Sequence, residues 1–182
     1  MVFSFFLALV KEGTKEQIEY QKLKALVAPA VKAVLPPSDN DPIADRIKVT
    51  LEGEGKKAKV VTVFPAKKGG KLFALAYSGV GSGHGGPVES LVAVTMDGKI
   101  IGVKVVKHSE TPGIGDKVVN SPEFMNQFKG KSLNSKIALD SQGGEIQAVS
   151  GATETSTAIT QSVANAMKIF PVIKNQVLQK TS

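Results

Sequence analysis

Three segments of the chain carry residue types that could hold or react with a ligand. The first, Ser150-Gly151-Ala152-Thr153-Glu154-Thr155-Ser156-Thr157, is a run of hydroxyls and small residues between a strand-like stretch and an apolar helical pattern. At a helix start, free backbone N–H groups and the helix dipole face the same way, so an anion is favoured there. Ser and Thr are also ordinary N-caps, and both readings stay open on residue type alone. The second, His108-Ser109-Glu110-Thr111-Pro112-Gly113-Ile114-Gly115-Asp116-Lys117, packs a proline and two glycines around one aliphatic residue. Glycines let backbone come close to a flat ligand, and Ile114 can cover a ring face; Pro-Gly turn chemistry explains the same residues. His108 and Glu110 have no nucleophile constellation beside them. The third, Gly81-Ser82-Gly83-His84-Gly85-Gly86, has the spacing G-x-G-x-x-G. A dinucleotide fingerprint of that spacing opens a helix, whereas Pro87 and a β-rich stretch follow here, and no Gly-Lys-Ser/Thr completes a Walker loop. A turn between strands is the expected structure.

Composition narrows the chemistry. The 182 residues contain no cysteine and two histidines, which excludes thiolate chemistry and iron–sulfur clusters and argues against an imidazole-rich metal site. Any redox role therefore needs an organic cofactor. The net charge of +7 comes from 23 basic and 16 acidic residues. Every basic residue except Arg46 is a scattered lysine, and tryptophan is absent. Base reading favours the arginine fork and base stacking needs aromatic platforms, so no nucleic acid partner is expected.

The elements that must position these segments are legible from periodicity. Residues 14–35 read as a helix with Leu23, Leu26, Val27, Ala30, Val31 and Val34 on one face, kinked or divided at Pro29 and stopped by Pro36-Pro37. Short β-branched runs at 47–51, 59–64, 72–77, 89–96 and 99–106 read as strands, with Asp97-Gly98 predicted as a type I′ hairpin turn. Ser121-Pro122 caps and opens a short helix ending near Gly130. Residues 137–140 and 145–149 are expected to be two further strands. From about Thr155, Ile159, Val163, Ala166 and Phe170 mark an amphipathic helix that Pro171 breaks or bends. No strand–helix alternation occurs, so the expected fold is α+β: a mainly antiparallel sheet, an N-terminal helical segment and a C-terminal helix packed on the sheet. Val2–Val10 is an uncharged apolar run, less than half a membrane span at ~1.5 Å per residue. It reads as a core helix, an interfacial segment or the remnant of a membrane anchor.

Taken together, three of these motifs resemble a known family. Ser150-Gly151-Ala152-Thr153 with Thr155-Ser156 resembles the attachment motif of the covalent FMN-binding domain family, Glu110-Thr111-Pro112-Gly113-Ile114-Gly115 its second signature, and Gly85-Gly86-Pro87 a third. Within that family the order of motifs is most similar to the G subunits of Rnf-type electron-transport complexes. The C subunits of sodium-translocating NADH:quinone reductases share the two main motifs. The resemblance implies FMN joined to Thr153 by a phosphoester bond, made by a separate flavin transferase that uses FAD. It also implies Ser150, Gly151 and Ala152 as the recognised approach, Thr155 and Ser156 as phosphate contacts, and Glu110, Thr111, Gly113 and Ile114 as the ring-contacting segment. Lys107 or Lys117 would stabilise reduced flavin by charge.

The same resemblance implies residues 1–12 as the remnant of a membrane anchor and 13–182 as the FMN-binding domain. The domain would face the extracytoplasmic side of the inner membrane and pass electrons among the other membrane subunits of an ion-translocating complex. The family often has an acid three positions before the serine, where this chain has Gln147. A non-redox anion-binding scaffold, which Gln147 favours, and a soluble flavoenzyme with non-covalent FMN are the alternatives.

Overall fold

The computed structural model describes residues 25, 27–52, 59–83, 85–109 and 115–181. Helix α1 (Ala28–Val34) precedes five strands: β1 (Ile47–Glu52), β2 (Lys59–Lys68), β3 (Lys71–Ser82), β4 (Pro87–Thr95) and β5 (Ile100–Lys107). Two one-turn helices follow, α2 (Gly115–Val119) and α3 (Pro122–Asn126), then a 3-10 turn at Asp140–Gln142 and the long α4 (Thr153–Thr181). The strands form one antiparallel meander in the order β1-β2-β3-β4-β5, as the strand spacing predicts.

Side chains alternate across this sheet into two cores. Leu75, Tyr77, Val92 and Val94 face α4 and pack with Ile159, Val163, Ala166 and Phe170. Ala74, Ala76, Leu91 and Ala93 face α1 and pack with Ala30, Val31 and Val34. Strands β3 and β4 are thus buried on both faces, which explains their near-continuous apolar runs.

The two helices come close because glycines replace side chains beneath them. A Cβ on Gly81 would lie 2.8 Å from the Ser162 amide nitrogen and closer still to the Ala158 carbonyl; one on Gly79 would lie 2.8 Å from the Ala166 Cβ. The backbone of α4 rests on β3 at these two positions. Around the contact, Tyr77 Oη donates to the Ala166 carbonyl at 3.1 Å, Asn165 donates to the Val80 carbonyl, and the Ser82 amide donates to Gln161. Burial pushes the Tyr77 hydroxyl far above its ordinary pKa, so it stays a donor. On the other face a Cβ on Gly102 of β5 would lie 2.6 Å from the Val34 carbonyl at the end of α1.

Several expectations need correction. The β4–β5 turn is not type I′, which requires positive φ at two central residues. Only Gly98 has positive φ (+85°), with its amide bonded to the Thr95 carbonyl at 2.9 Å; this is a type I turn closed by a glycine bulge. Residues 137–140 and 145–149 form no ladder. A single Leu139–Ile146 bridge joins them, because Gly143 turns left-handed and Gly144 packs directly on the Ala138 backbone. Pro171 does not break α4, which runs through it to Thr181. Burial of Ile173 and Val177, with Gln176 and Lys180 donating to the Thr50 and Lys48 carbonyls of β1, holds the tail in place. Pro29 sits in the first turn of α1, where a missing N–H costs nothing. The remainder of the helix expected from residue 14, and the apolar run Val2–Val10, lie outside the described residues.

Candidate functional site

The acceptor segment begins where a buried anchor ends. Ile146 is fully buried; its amide donates to the Ala138 carbonyl, and its own carbonyl accepts from Asp140. Immediately before it, the Glu145 carboxylate takes the Lys136 amide at 2.9 Å and pairs with the Lys131 ammonium. Those two contacts hold the Glu145 carboxyl below its ordinary pKa, the Lys131 bond contributing most. One residue further on, Gln127 fixes Gln147 through the backbone alone. The Gln147 amide donates to Gln127 Oε1 at 2.7 Å, and Gln127 Nε2 donates to the Gln147 carbonyl at 3.1 Å.

The chain then turns at Val149–Ala152, closed by the Ala152 amide donating to the Val149 carbonyl at 3.0 Å. Gly151 occupies the third position with φ +77°, the conformation a type II turn demands there. Ser156 ties this turn to α4. Its Oγ accepts from the Val149 amide at 3.1 Å and donates to the Ala152 carbonyl at 2.9 Å. The Ser156 hydroxyl is therefore engaged with the loop, not pointed outward, and it is fully buried.

Thr153 opens α4 with its side chain exposed. Its carbonyl accepts from Thr157 Oγ1 at 2.9 Å, while its own hydroxyl has no partner among the described residues. The residue before it is Ala152, which has no polar side chain to cap the helix, and the amides of Thr153 and Glu154 have no acceptor among the described residues. An exposed hydroxyl beside two unbonded N–H groups at the start of a 29-residue helix suits a phosphate. Thr155 is buried beside it.

Further along the same helix face, seven residues or about 10 Å from Thr153, Thr160 is 3% exposed and its Oγ1 has no hydrogen-bond partner. Buried hydroxyls without partners are rare and costly. The helix start with its exposed hydroxyl suits the phosphate of a ligand such as FMN, while the Thr160 hydroxyl is closed off in the core. Among the described residues no group of three or more His, Cys, Asp or Glu side chains fits a metal.

Of the expected site residues, Ser150, Gly151, Ala152, Thr153, Thr155 and Ser156 share this loop and first helical turn. Glu110, Thr111, Gly113 and Ile114 lie outside the described residues. Ser109 lies 3.5 Å from where a Gly86 Cβ would be, and α2, beginning at the buried Gly115, packs against α4. The glycine motif forms the β3–β4 turn, with Gly83 and Gly86 exchanging backbone hydrogen bonds. That turn lies just beyond Ser82, which α4 reaches through Gln161. Lys107 and Lys117, both exposed, flank the undescribed segment. The roles of Gln127 and Thr160 carry no sequence signal except, for Thr160, a polar residue four positions after Ser156 in a buried stripe.

Comparison with known proteins identifies the family. Residues 83–168 match the FMN-binding domain, a span from the glycine turn to the middle of α4. The chain is 34% identical over 179 residues to the G subunit of the ion-translocating oxidoreductase complex of Cereibacter sphaeroides, covering 93% of this chain and 78% of that protein. It is 30% identical over 172 residues to the G subunit of the Na(+)-translocating ferredoxin:NAD(+) oxidoreductase complex of Acetobacterium woodii, covering 88% and 80%. Among solved structures, Shewanella oneidensis NqrC superposes with a TM-score of 0.53 at 27% identity, covering 81% of this chain and 72% of that one.

Proposed function

This chain belongs to the family of G subunits of ion-translocating, Rnf-type oxidoreductase complexes and contains an FMN-binding domain, and from that premise we propose that it carries FMN covalently on Thr153. The observation that supports this reading is the exposed Thr153 hydroxyl at the start of α4, without a partner among the described residues. In the attachment step the Thr153 Oγ1 bonds to the riboflavin-side phosphorus of FAD, the pyrophosphate P–O bond breaks, AMP leaves, and the hydroxyl proton is taken up by the flavin transferase or solvent. The amides of Thr153 and Glu154 then face the phosphate, where charge and dipole hold it. Ser150, Gly151 and Ala152 form the turn that presents the hydroxyl. Ser156 fixes that turn, Thr155 packs beneath it, and in this reading Glu110, Thr111, Gly113 and Ile114 would contact the ring.

Bound FMN supplies reversible electron transfer that none of the chain's own side chains can perform. The domain passes electrons between neighbouring subunits of the membrane complex and transforms no small substrate itself. In this reading residues 1–12 belong to an N-terminal membrane anchor and residues 13–182 to the domain, held on the extracytoplasmic side of the inner membrane. No helix among the described residues is long and apolar enough to cross a membrane.

The test is production together with a flavin transferase, followed by a denaturing gel viewed under ultraviolet light. The wild-type band fluoresces, and Thr153→Ala does not. Its stability stays within about 1 kcal/mol of wild type, since one exposed hydroxyl contributes no more. A fluorescent Thr153→Ala band contradicts the assignment. A dark wild-type band favours the scaffold reading that Gln147 suggests.

A further inference from the structure

We propose that Gln127 is a positioning residue, which holds the acceptor loop 147–152 in the shape that the flavin transferase takes up. The inference rests on attachment at Thr153. Loops that an enzyme must modify are commonly mobile, and ordering one costs about 1–2 kcal/mol per residue in backbone entropy. Here the ordering is built in. The loop backbone is tied at Gln147 by Gln127, at Val149 by Ser156, and at Ala152 by Ser156 again. The side chains of Gln147, Ser150, Thr153 and Glu154 meanwhile stay exposed. The backbone is thus satisfied inward and the side chains are offered outward, the arrangement a partner reads without remodelling it.

Two side chains make all of those ties, and they differ in kind. Ser156 belongs to the turn that follows the loop and is buried. Gln127 comes from 20 residues earlier in the chain, just after α3, and uses both ends of its amide on the Gln147 backbone. That pairing copies a rung of a β-ladder in a place where no strand exists. Because Gln127 holds the main chain of position 147, the side chain there is released for recognition, and substitution of Gln147 leaves the clamp intact. Removal of Gln127 frees the loop at its upstream end, with Ile146 and Ala152 still buried on either side. A smaller share of molecules then presents the competent loop, and apparent affinity falls by that share.

The experiment measures the rate of FMN transfer from FAD to the folded chain by purified flavin transferase, with acceptor concentration varied. Gln127→Met keeps the side chain's length and removes both hydrogen bonds. It should raise the KM for the acceptor about fivefold or more, leave kcat unchanged, and speed amide exchange across 147–152. Gln127→Glu keeps an acceptor for the Gln147 amide and should fall between, which a loss of folding would not produce. Gln147→Ala should keep slow exchange across the loop. A wild-type KM for Gln127→Met, or a lowered kcat at unchanged KM, overturns the proposal. Should Gln127→Met fail to fold, the KM of Gln127→Glu decides by itself, a wild-type value counting against the clamp. A wild-type chain that accepts no flavin refutes the attachment reading itself, a result distinct from any of these.

Discussion

The two faces of the sheet are built with the same device and put to different uses. On one, α4 lies on Gly79 and Gly81 of β3; on the other, α1 ends against Gly102 of β5. In both places the missing side chain lets helix backbone touch strand backbone. The scale differs. Helix α4 has 29 residues, extends from the acceptor loop to the edge strand β1, and is fastened by Tyr77, Asn165, Gln161, Gln176 and Lys180. Helix α1 has seven residues, and its face of the sheet leaves Val60 48% and Val80 51% exposed. Rigidity is concentrated where the candidate site is. The close approach over Gly81 fixes the first turns of α4, and through Ser156 it fixes the loop that offers Thr153.

That contrast can be broken from either side. Gly81→Ala has the larger effect, because the added methyl meets helix main chain that cannot rotate away. The cost is about 3 kcal/mol, at the upper end for overpacking. Displacement of the start of α4 also lowers flavin attachment well below wild type at temperatures where the variant is folded. Urea unfolding and the fluorescent gel band check the two parts. Attachment unchanged in a destabilised Gly81→Ala would separate the helix contact from the site. Gly102→Ala is milder, about 1–2 kcal/mol, since short α1 can shift as a unit. Here attachment should match wild type, and a loss equal to that of Gly81→Ala would erase the distinction between the faces.

The sheet and the start of α4 were legible because two-residue alternation, turn signals and a three-four apolar stripe state them locally. Strands β2 and β3 run further than their apolar cores suggest; the ladder continues through Lys67↔Leu72 and Val80↔Glu89, where pairing extends past the apolar residues. Ile137, Leu139 and Ile146 imitate a strand pair, yet the intervening glycines coil the chain so that these residues anchor a loop. Pro171 reads as a break or bend, since a proline in mid-helix costs about 3 kcal/mol, but burial of Phe170, Ile173 and Val177 around it outweighs that. Of the site, the hydroxyl run was visible and its support was not. Gln127 reaches Gln147 across 20 residues through main-chain atoms, a contact that leaves no pattern in side-chain types.

The smallest expected effect concerns the base of the acceptor loop. The depressed Glu145 carboxyl gives stability that is present above the unfolded-state carboxylate pKa and lost as pH falls through its lowered folded-state value. Glu145→Gln removes this dependence, so the urea midpoints of the two proteins should differ at neutral pH and converge under acid. Parallel curves across the whole range would show that the Lys131 and Lys136 contacts contribute nothing there.

The most direct measurement is site localisation of flavin by peptide mass spectrometry. Trypsin cuts after Lys136 and Lys168, leaving one fragment that holds Ser150, Thr153, Thr155, Ser156 and Thr157 together. In protein produced with a flavin transferase, that fragment should carry the mass of one FMN in phosphodiester linkage, and its fragmentation should place the group on Thr153. An unmodified fragment, or FMN on a neighbouring hydroxyl, would contradict the account.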